Sequence, residues 1–193
     1  MFLHGMPSWE VVGLPDTSLK EAKERVRTAI KNSGYEFQSR KIVVNLAPAN
    51  TRKEGSFFDL PIAVGILINF EEIASQNLDD TVFIGELSLD GRVNKVNGIL
   101  PMCIEAKNLG IKQIILPKEN EEEASIVEGI SVIGVKELKQ VVNYLNKKEK
   151  IKPKISNIEE FFHKQNKYSL DFSEVKGQEN IKRALEVAAA RLT

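Results

Sequence analysis

The sequence predicts a mixed α/β protein in which helices pack against a sheet. Short apolar segments typical of buried strands alternate with segments of helical periodicity along most of the 193 residues. From Val93 onward the order is strand, helix, strand, helix, which implies parallel strands joined by right-handed crossovers. Asp90-Gly91 indicates a hairpin between two further strands. Hairpins and crossovers together predict a mixed sheet, as in α/β or α+β proteins.

The first elements are a strand and an amphipathic helix. The strand is expected over Trp9–Leu14, and Asp16 or Thr17 can cap the helix that follows. Gly34 is expected to end this helix, and Glu21–Arg25 has the spacing of an i,i+4 ion pair. The apolar stripe of the helix consists of Leu19, Ala22, Val26, Ala29 and Ile30.

The segment KIVVNLAPANTRKEGSFFDLPIAVGIL reads as a buried strand, a loop and an apolar helix. The strand is expected over Ile42–Leu46. Asp59 is expected to cap the helix by accepting a free backbone N–H, and Pro61 falls in the first turn, where its missing donor does no harm. The expected inward stripe is Leu60, Ala63, Val64, Leu67 and Ile68.

The second half of the chain continues with short elements. Val82–Leu87 and Arg92–Val96 are expected to be the two strands of the hairpin. The acidic run Glu121–Glu123 is expected to lie in a solvated turn or helix start. The remaining expected elements are a helix at Gly98–Leu109, a strand at Gln113–Leu116, a short helix at Glu119–Ala124, a strand at Val132–Gly134 and a helix at Glu137–Leu145.

Composition excludes several classes of protein. The formal net charge is zero, so no global field attracts nucleic acid or membrane, although a local basic face is compatible with it. A single cysteine rules out an intramolecular disulfide and fits a reducing compartment. The two histidines, His4 and His163, lie at opposite ends, which argues against a metal site. No apolar run is long enough to cross a bilayer, so we expect a cytoplasmic protein without membrane contact.

Three separated blocks carry a family resemblance: Val11–Phe37 (VVGLPDTSLKEAKERVRTAIKNSGYEF), Val44–Leu67 (VNLAPANTRKEGSFFDLPIAVGIL) and Gly85–Val93 (GELSLDGRV). They resemble the N-terminal domain of the magnesium-chelatase-like AAA+ ATPase family of the ComM/YifB type. The resemblance implies a Lon-protease-domain-like fold, shared with a small-subunit ribosomal protein. It also implies that the parent is a hexameric, ATP- and magnesium-dependent motor acting on branched or single-stranded DNA, associated with branch migration in natural transformation.

The resemblance also suggests a domain organisation. Residues 1–145 are expected to form the Lon-protease-like domain, with its start trimmed relative to the family. Residues 146–170 are rich in lysine and are read as a linker. Residues 171–193 (DFSEVKGQENIKRALEVAAA and three more) resemble the beginning of a truncated AAA+ module. In that module the segment before the first helix often lines the adenine pocket, which suggests Val175, Lys176, Gly177 and Gln178 as partial nucleotide contacts of the parent.

Two catalytic motifs have partial matches in the sequence, and neither is complete. A P-loop requires Gly-x4-Gly-Lys-Ser/Thr, and the nearest string, Gly129–Lys136, has one residue too many before its lysine. In the Ser–Lys dyad of Lon, the pair Glu54-Gly55 aligns with an acid–Gly pair and places Phe57 at the nucleophile position. Leu100 takes the place of the lysine. Losing such a residue typically costs on the order of 10⁶ in rate. We therefore expect no catalytic residues and no cofactor in this chain.

Ser56, adjacent to the nucleophile position, could act only if another lysine such as Lys53 or Lys95 reached it. What remains is binding. A basic surface is expected if the first helix and the RKEG loop lie close together, and phosphate contacts there would be salt-sensitive. Phe57 and Phe58 are expected to pack in the core rather than to stack on bases. The candidate DNA-binding residues are Arg25, Arg27, Lys31, Arg40, Arg52 and Lys53, with Lys41 beside them.

Three other classes remain open. A protein-interaction domain without DNA binding fits the neutral net charge equally well. A magnesium chelatase subunit shares the ATPase resemblance, but such subunits generally begin with the ATPase itself. A Lon-like peptidase is disfavoured by Phe57 and Leu100.

Overall fold

The structure, a computed structural model, describes residues 8–13, 16–48, 50–51, 53, 55–74, 78–155 and 176–190. The chain forms two compact units, Met1–Ser156 and Asn157–Thr193. In the first unit the strands are β1 (Trp9–Val12), β2 (Ile42–Asn45), β3 (Thr81–Phe83), β4 (Glu86–Leu87), β5 (Val93–Asn94), β6 (Gln113–Pro117) and β7 (Ser131–Val135). Its α-helices are α1 (Thr17–Asn32), α2 (Asp59–Asn69), α3 (Ile99–Asn108), α4 (Glu121–Ala124) and α5 (Leu138–Leu145).

The mixed α/β architecture predicted from the sequence is confirmed. β1 and β2 form a parallel pair in which Trp9 is opposite Ile42. β3, β6 and β7 form a parallel sheet in that order, with β6 in the centre. β4 and β5 form a short antiparallel hairpin at Asp90-Gly91, as expected. Each crossover connection between parallel strands contains a helix, which is the usual way to connect them.

The three-stranded sheet is buried on both faces, as parallel sheets generally are. Ile115 and Ile133 belong to a core cluster that includes α1, α2 and α5. Ile114 and Val132, which alternate with them along β6 and β7, belong to a second cluster built from α3 and its neighbours. The two clusters therefore lie on opposite sides of one sheet. All of the apolar stripe expected for α1 is buried.

Helix α1 begins and ends where the sequence predicts. Asp16 is the N-cap, and its Oδ1 accepts from the backbone N–H of Leu19 at 2.8 Å. Its other oxygen, Oδ2, accepts from the N–H of Gly55 at 3.2 Å. Gly34 follows the helix with φ of +90°, a conformation that glycine adopts without strain. Asp16 therefore caps α1 and also ties the helix start to the loop before α2.

The predicted cap of α2 is wrong. Phe58 occupies the N-cap position without a side-chain hydrogen bond, and Asp59 is the first helical residue. The Asp59 carboxylate is fully buried and binds Arg25 and the N–H of Leu87. Its oxygens are thus used by other elements rather than by the helix end. Ile68, expected in the inward stripe, is only half-buried, and Ile62 and Ile66 are buried instead.

The expected strand Val82–Leu87 is divided between two sheets. β3 pairs with β6, whereas β4 turns away to form the hairpin. The break is at Gly85, whose N–H donates to the Phe57 carbonyl at 3.0 Å and whose carbonyl accepts from the Leu60 N–H at 3.0 Å. A Cβ at this position would lie 2.6 Å from Val93 Cγ1, so only glycine fits without displacement.

The acidic run of α4 is not wholly solvated, contrary to expectation. Glu121 is buried, and its Oε1 accepts from the N–H of Gly134 in β7 at 3.1 Å. Its Oε2 lies 2.5 Å from the ammonium of Lys118. Glu122 is exposed and Glu123 is half-buried. Glu121 thus fixes α4 to the sheet, a role that spacing along the chain does not reveal.

Residues 146–155, assigned to the linker, continue along the first unit. Ile151 packs against the core cluster of α1 and α2, and the N–H of Lys154 donates to the Val132 carbonyl at 3.0 Å. Residues 156–170 lie outside the described residues. In the second unit, α6 (Glu179–Ala190) is an amphipathic helix whose Ile181 and Leu185 are exposed. Of the helices that the structure describes, none has the length and apolar character needed to cross a bilayer.

Candidate nucleic-acid interface

The predicted basic residues form two groups: some side chains make contacts inside the protein, and others line an external surface. The condition set by the sequence, that α1 and the RKEG loop lie close together, is met at the helix start. There the N–H of Asp16 donates to the Lys53 carbonyl at 3.1 Å. The side chains nevertheless point in different directions, and only some of them reach the same surface.

Arg25 points inward. Its Nε lies 2.9 Å from Asp59 Oδ2 and its Nη2 lies 3.1 Å from Oδ1, a bidentate ion pair. The hydrogen bond to Asp59 raises the pKa of Arg25, which favours the charged guanidinium further. Burial raises the pKa of Asp59, while Arg25 and the Leu87 N–H oppose that rise. Because its charge is offset by Asp59, Arg25 has less to offer an external phosphate than its position on α1 suggests.

Lys53 also has an internal role. Only 8% of the residue is exposed, and its ammonium donates to the carbonyl of Pro48 in the same loop. Arg52, which precedes it, lies outside the described residues. The positive charge of Lys53 is therefore poorly accessible to an external ligand.

Arg27 and Arg40 line a common cleft with Lys23, which the sequence analysis did not single out. The cavity has a volume of about 180 Å³. We call it the basic cleft. Its lining residues come from the start of β1, from α1 and from the segment before β2: Ser8, Trp9, Lys23, Glu24, Arg27, Phe37, Gln38, Ser39, Arg40 and Ile42.

The wall of the basic cleft is aromatic. The rings of Trp9 and Phe37 are stacked, with centroids 5.6 Å apart and an interplanar angle of 29°. The guanidinium carbon of Arg27 lies 5.5 Å from the centroid of Phe37, a cation–π contact. Within the part of the chain that the structure describes, Trp9 Nε1 and Gln38 Oε1 are buried without a hydrogen-bond partner. A donor and an acceptor thus remain unused beside three cations.

Lys31 extends this surface along α1. Lys23, Arg27 and Lys31 are spaced four residues apart, so they follow one another along one face of the helix. Lys31 and Arg27 are exposed and Lys23 is half-buried. The i, i+4, i+8 spacing is the sequence signal that could have identified Lys23. The proximity of Arg40 and of the two aromatic rings follows only from the fold.

The residues at the peptidase positions have other partners. Ser56 Oγ donates to the carboxylate of Glu86, which also accepts from Asn94 Nδ2 at 3.4 Å. Phe57 and Phe58 lie side by side with centroids 4.4 Å apart and pack against the second and the first core cluster, respectively. The core position expected for both is confirmed. Leu100 is half-buried in the first turn of α3.

The three described members of the predicted nucleotide segment are exposed at the start of α6. Lys176 and Gly177 precede the helix, and the Gln178 carbonyl accepts from the N–H groups of Ile181 and Lys182 at 3.0 and 3.1 Å. Val175 lies outside the described residues, so this assignment stays a prediction. Among the described residues there is no group of three or more His, Cys, Asp or Glu side chains suited to a metal ion.

Comparison with known proteins identifies the family. The family described as subunit ChlI of Mg-chelatase matches residues 1–120. Competence protein ComM of Haemophilus influenzae is 38% identical over 189 residues, which cover 97% of this chain and 37% of that protein. The uncharacterized protein YifB of Escherichia coli is 40% identical over 189 residues, covering 96% of this chain and 36% of that protein. The chain thus spans slightly more than a third of the length of these two curated relatives.

A more distant similarity concerns the fold. Lon protease 2 of Bacillus subtilis is 31% identical over 126 residues, which cover 64% of this chain and 22% of that protein. This similarity and the mixed α/β architecture fit the Lon-like fold that the resemblance implied. The family match over residues 1–120 and the similarity to ComM and YifB confirm the predicted membership: the chain belongs to the Mg-chelatase ChlI-like family that also contains these two proteins.

Proposed function

We propose that the first unit is a non-catalytic domain that contacts DNA through the basic cleft, within a longer AAA+ ATPase of the ComM/YifB type. The observation that carries this proposal is the convergence of Lys23, Arg27 and Arg40 around the stacked rings of Trp9 and Phe37. Cations that track phosphates and aromatic rings that stack on bases are the two features of sequence-independent binding to single strands.

Charge supports a modest and salt-sensitive affinity. The chain is neutral overall, so attraction to DNA depends on the local row of cations. Lys23, Arg27, Lys31 and Arg40 would neutralise at most four phosphates, and Glu24 at the cleft offsets part of that charge. If all four cations contact phosphates of a single strand, the logarithm of the binding constant falls with the logarithm of salt with a slope of about −3.

For the whole protein we propose an ATP- and magnesium-dependent motor that assembles as a homo-hexameric ring in the cytoplasm and moves branched or single-stranded DNA. Support comes from the family and from the name of the relative ComM, a competence protein. Lys176, Gly177 and Gln178, together with Val175, would contribute to the adenine pocket of that motor. In this arrangement the first unit supplies DNA contacts and helps to arrange the subunits.

Trp9 provides a direct test because it is the one tryptophan of the chain and lies in the basic cleft. Labelled single-stranded, duplex and four-way-junction DNA are titrated with the 193-residue chain, from about 50 to 200 mM salt, and anisotropy and tryptophan emission are recorded together. We expect binding that weakens with salt and a change in Trp9 emission that saturates with the same dissociation constant as the anisotropy.

Variants locate the site. Arg27→Ala and Arg40→Ala are each expected to weaken binding about tenfold at low salt and to reduce the salt slope on single-stranded DNA by about 0.7. Lys139→Ala, which removes an exposed cation from α5, is the matched control and should bind as the unmodified chain does. Flat anisotropy on all three DNA substrates, or equal losses in the cleft and control variants, would contradict the proposal.

A further inference from the structure

We propose that a second cavity, between β2 and α2, binds an extended peptide that adds a strand to the β1–β2 sheet. The peptide would carry alternating apolar side chains and an acidic residue at its C-terminal end. This cavity shares Arg40 and Ile42 with the lining of the basic cleft, but the inference does not depend on DNA binding. We call the cavity the β2 groove; its volume is about 560 Å³, within the range of ligand pockets.

The edge of β2 has backbone groups available for such a strand. The N–H groups of Ile42 and Leu46 donate to the Ser8 and Val12 carbonyls at 2.8 and 2.9 Å. In a parallel ladder, residues that alternate with these direct their N–H and C=O groups to the opposite edge, which here means Val43 and Asn45. Among the described residues, β2 pairs with β1 alone. The edge is therefore a template for strand addition.

The walls of the β2 groove are apolar and leave room for side chains. Ile42 and Val44 line it from the strand, and Pro61, Ile62 and Ile66 line it from the helix. Gly65 lies in the middle of this helix wall, and a Cβ built there would meet nothing within 4 Å. A strand placed beside β2 would direct alternate side chains onto α2, in the same sense as Ile42 and Val44.

Charge at one end of the groove favours a direction for the peptide. The ring centroid of Phe70, just after α2, lies 5.5 Å from that of Phe37. Phe37 in turn stacks on Trp9, and Trp9 is opposite Ile42 in the β1–β2 register. The end of α2 therefore lies at the start of β2, where the lining residues include exposed Arg40 and Lys41. In an antiparallel arrangement, the slightly more stable one, the C-terminal end of the peptide meets these cations.

The test uses the 193-residue chain and a fluorescein-labelled peptide of alternating valine and threonine that ends in glutamate. We expect saturable binding by anisotropy and slower amide hydrogen exchange at Val43 and Asn45. Gly65→Leu, which extends a side chain into the open part of the groove, should weaken binding at least about tenfold. Methylating alternate peptide nitrogens should have a similar effect because it removes the donors facing β2.

Control variants distinguish binding in the β2 groove from nonspecific binding of the peptide. Lys139→Leu introduces the same apolar side chain on the exposed face of α5 and should leave peptide affinity unchanged. Lys41→Glu should weaken the glutamate-ending peptide several-fold more than a glutamine-ending one. Circular dichroism and thermal melts of each variant establish that the fold is intact.

Three results would overturn the inference: absence of peptide binding, equal binding by Gly65→Leu and the unmodified chain, or a methylated peptide that binds as well as its parent. A concentration-dependent dimer that Gly65→Leu abolishes would instead assign the groove to a second copy of the chain.

Discussion

Arg25 and Asp59, separated by 34 positions in the sequence, form a bidentate ion pair with N–O distances of 2.9 and 3.1 Å. The pair connects the middle of α1 to the first turn of α2. Asp59 Oδ2 also accepts from the Leu87 N–H of β4 at 3.2 Å, so one buried carboxylate holds three elements together. A residue whose position suggested a helix cap and one whose charge suggested a DNA contact therefore support the tertiary structure jointly.

Removing one member of this pair should destabilise the chain strongly. Arg25→Met keeps most of the side-chain volume but leaves the Asp59 carboxylate buried without its counter-ion. The expected loss is about 3 kcal/mol of unfolding free energy, the lower end of the range for buried pairs, because 23% of the Arg25 side chain is exposed. The measurement is the urea midpoint of the unfolding transition, followed by circular dichroism.

The double variant Arg25→Met/Asp59→Leu provides the matched comparison. Since no unpaired charge remains buried, it should recover part of the lost stability, although the Leu87 N–H loses its acceptor. A double variant as unstable as Arg25→Met alone would contradict this account. A stability of Arg25→Met equal to that of the unmodified chain would do so as well.

Gly65→Ala should raise stability. Gly65 lies inside α2 and a methyl group there meets nothing within 4 Å, so the substitution restricts the unfolded chain without creating a clash. The expected gain is about 0.5–1 kcal/mol. Chemical denaturation measures it, and Gly85→Ala serves as the opposite control, since a Cβ there would lie 2.6 Å from Val93 Cγ1. Equal effects of the two substitutions would show that local packing around these glycines has been misjudged.

Asn120→Ala should be destabilising although the residue lines neither cavity. Asn120 is fully buried; its Oδ1 accepts from the Val96 N–H at 2.9 Å and its Nδ2 donates to the Val96 carbonyl at 2.8 Å. Truncation leaves buried backbone groups without partners, which costs about 1–3 kcal/mol for each unsatisfied group. Thermal unfolding measures the loss. Ser88→Ala, which removes a less buried hydroxyl, should lower the melting temperature much less, and the reverse order would refute the argument.

Cys103 should resist thiol reagents until the chain unfolds. Burial, with a smaller contribution from Glu123, raises the pKa of the Cys103 thiol from 9.0 to about 11, and the residue is fully buried. At pH 8 native labelling with Ellman's reagent should therefore be very slow, because the thiolate is the reacting form. Labelling in denaturant should be rapid, and equal rates in both conditions would contradict the buried position.

The Cys103 thiol also makes the unfolding free energy of the chain depend on pH. A raised pKa in the folded state means that the folded chain favours the neutral thiol. The stabilising contribution of Cys103 is thus present below pH 9 and is lost as pH rises toward 11. Comparing Cys103→Ala with the unmodified chain across this range isolates the effect, since the difference in unfolding free energy should shrink as pH increases.

Local sequence patterns predicted most of the elements because the information lies within a few residues. The Asp16 cap of α1, its apolar stripe and the Asp90-Gly91 hairpin all appear as expected. The hairpin signal at Asp90-Gly91 predicts Val82–Leu87 as one strand. Its division at Gly85 depends on hydrogen bonds to Phe57 and Leu60 at the start of α2.

The sequence predicted most of the basic residues of the candidate binding surface, but not how they are arranged in space. The sequence identified Arg27, Lys31 and Arg40 as basic and exposed, and the structure places Arg27 and Arg40 in one cleft. The helical spacing of Lys23 with Arg27 offered a signal for Lys23, but the sequence could not show that Arg40 lies beside them or that Arg25 turns toward Asp59. Side-chain direction depends on what packs against a helix, and α2 approaches α1 only in the folded chain.

By itself, the sequence determined the mixed α/β class, the order of strands and helices, and the blocks that identify the family. These properties depend on periodicity, turn residues and motifs, which are local features of the chain. Only the tertiary structure decided which charges are internal and which face outward, and which edge of β2 has no partner strand among the described residues. Those outcomes are set by contacts between residues far apart in sequence, and no local pattern records which partner a buried carboxylate or an edge strand will meet.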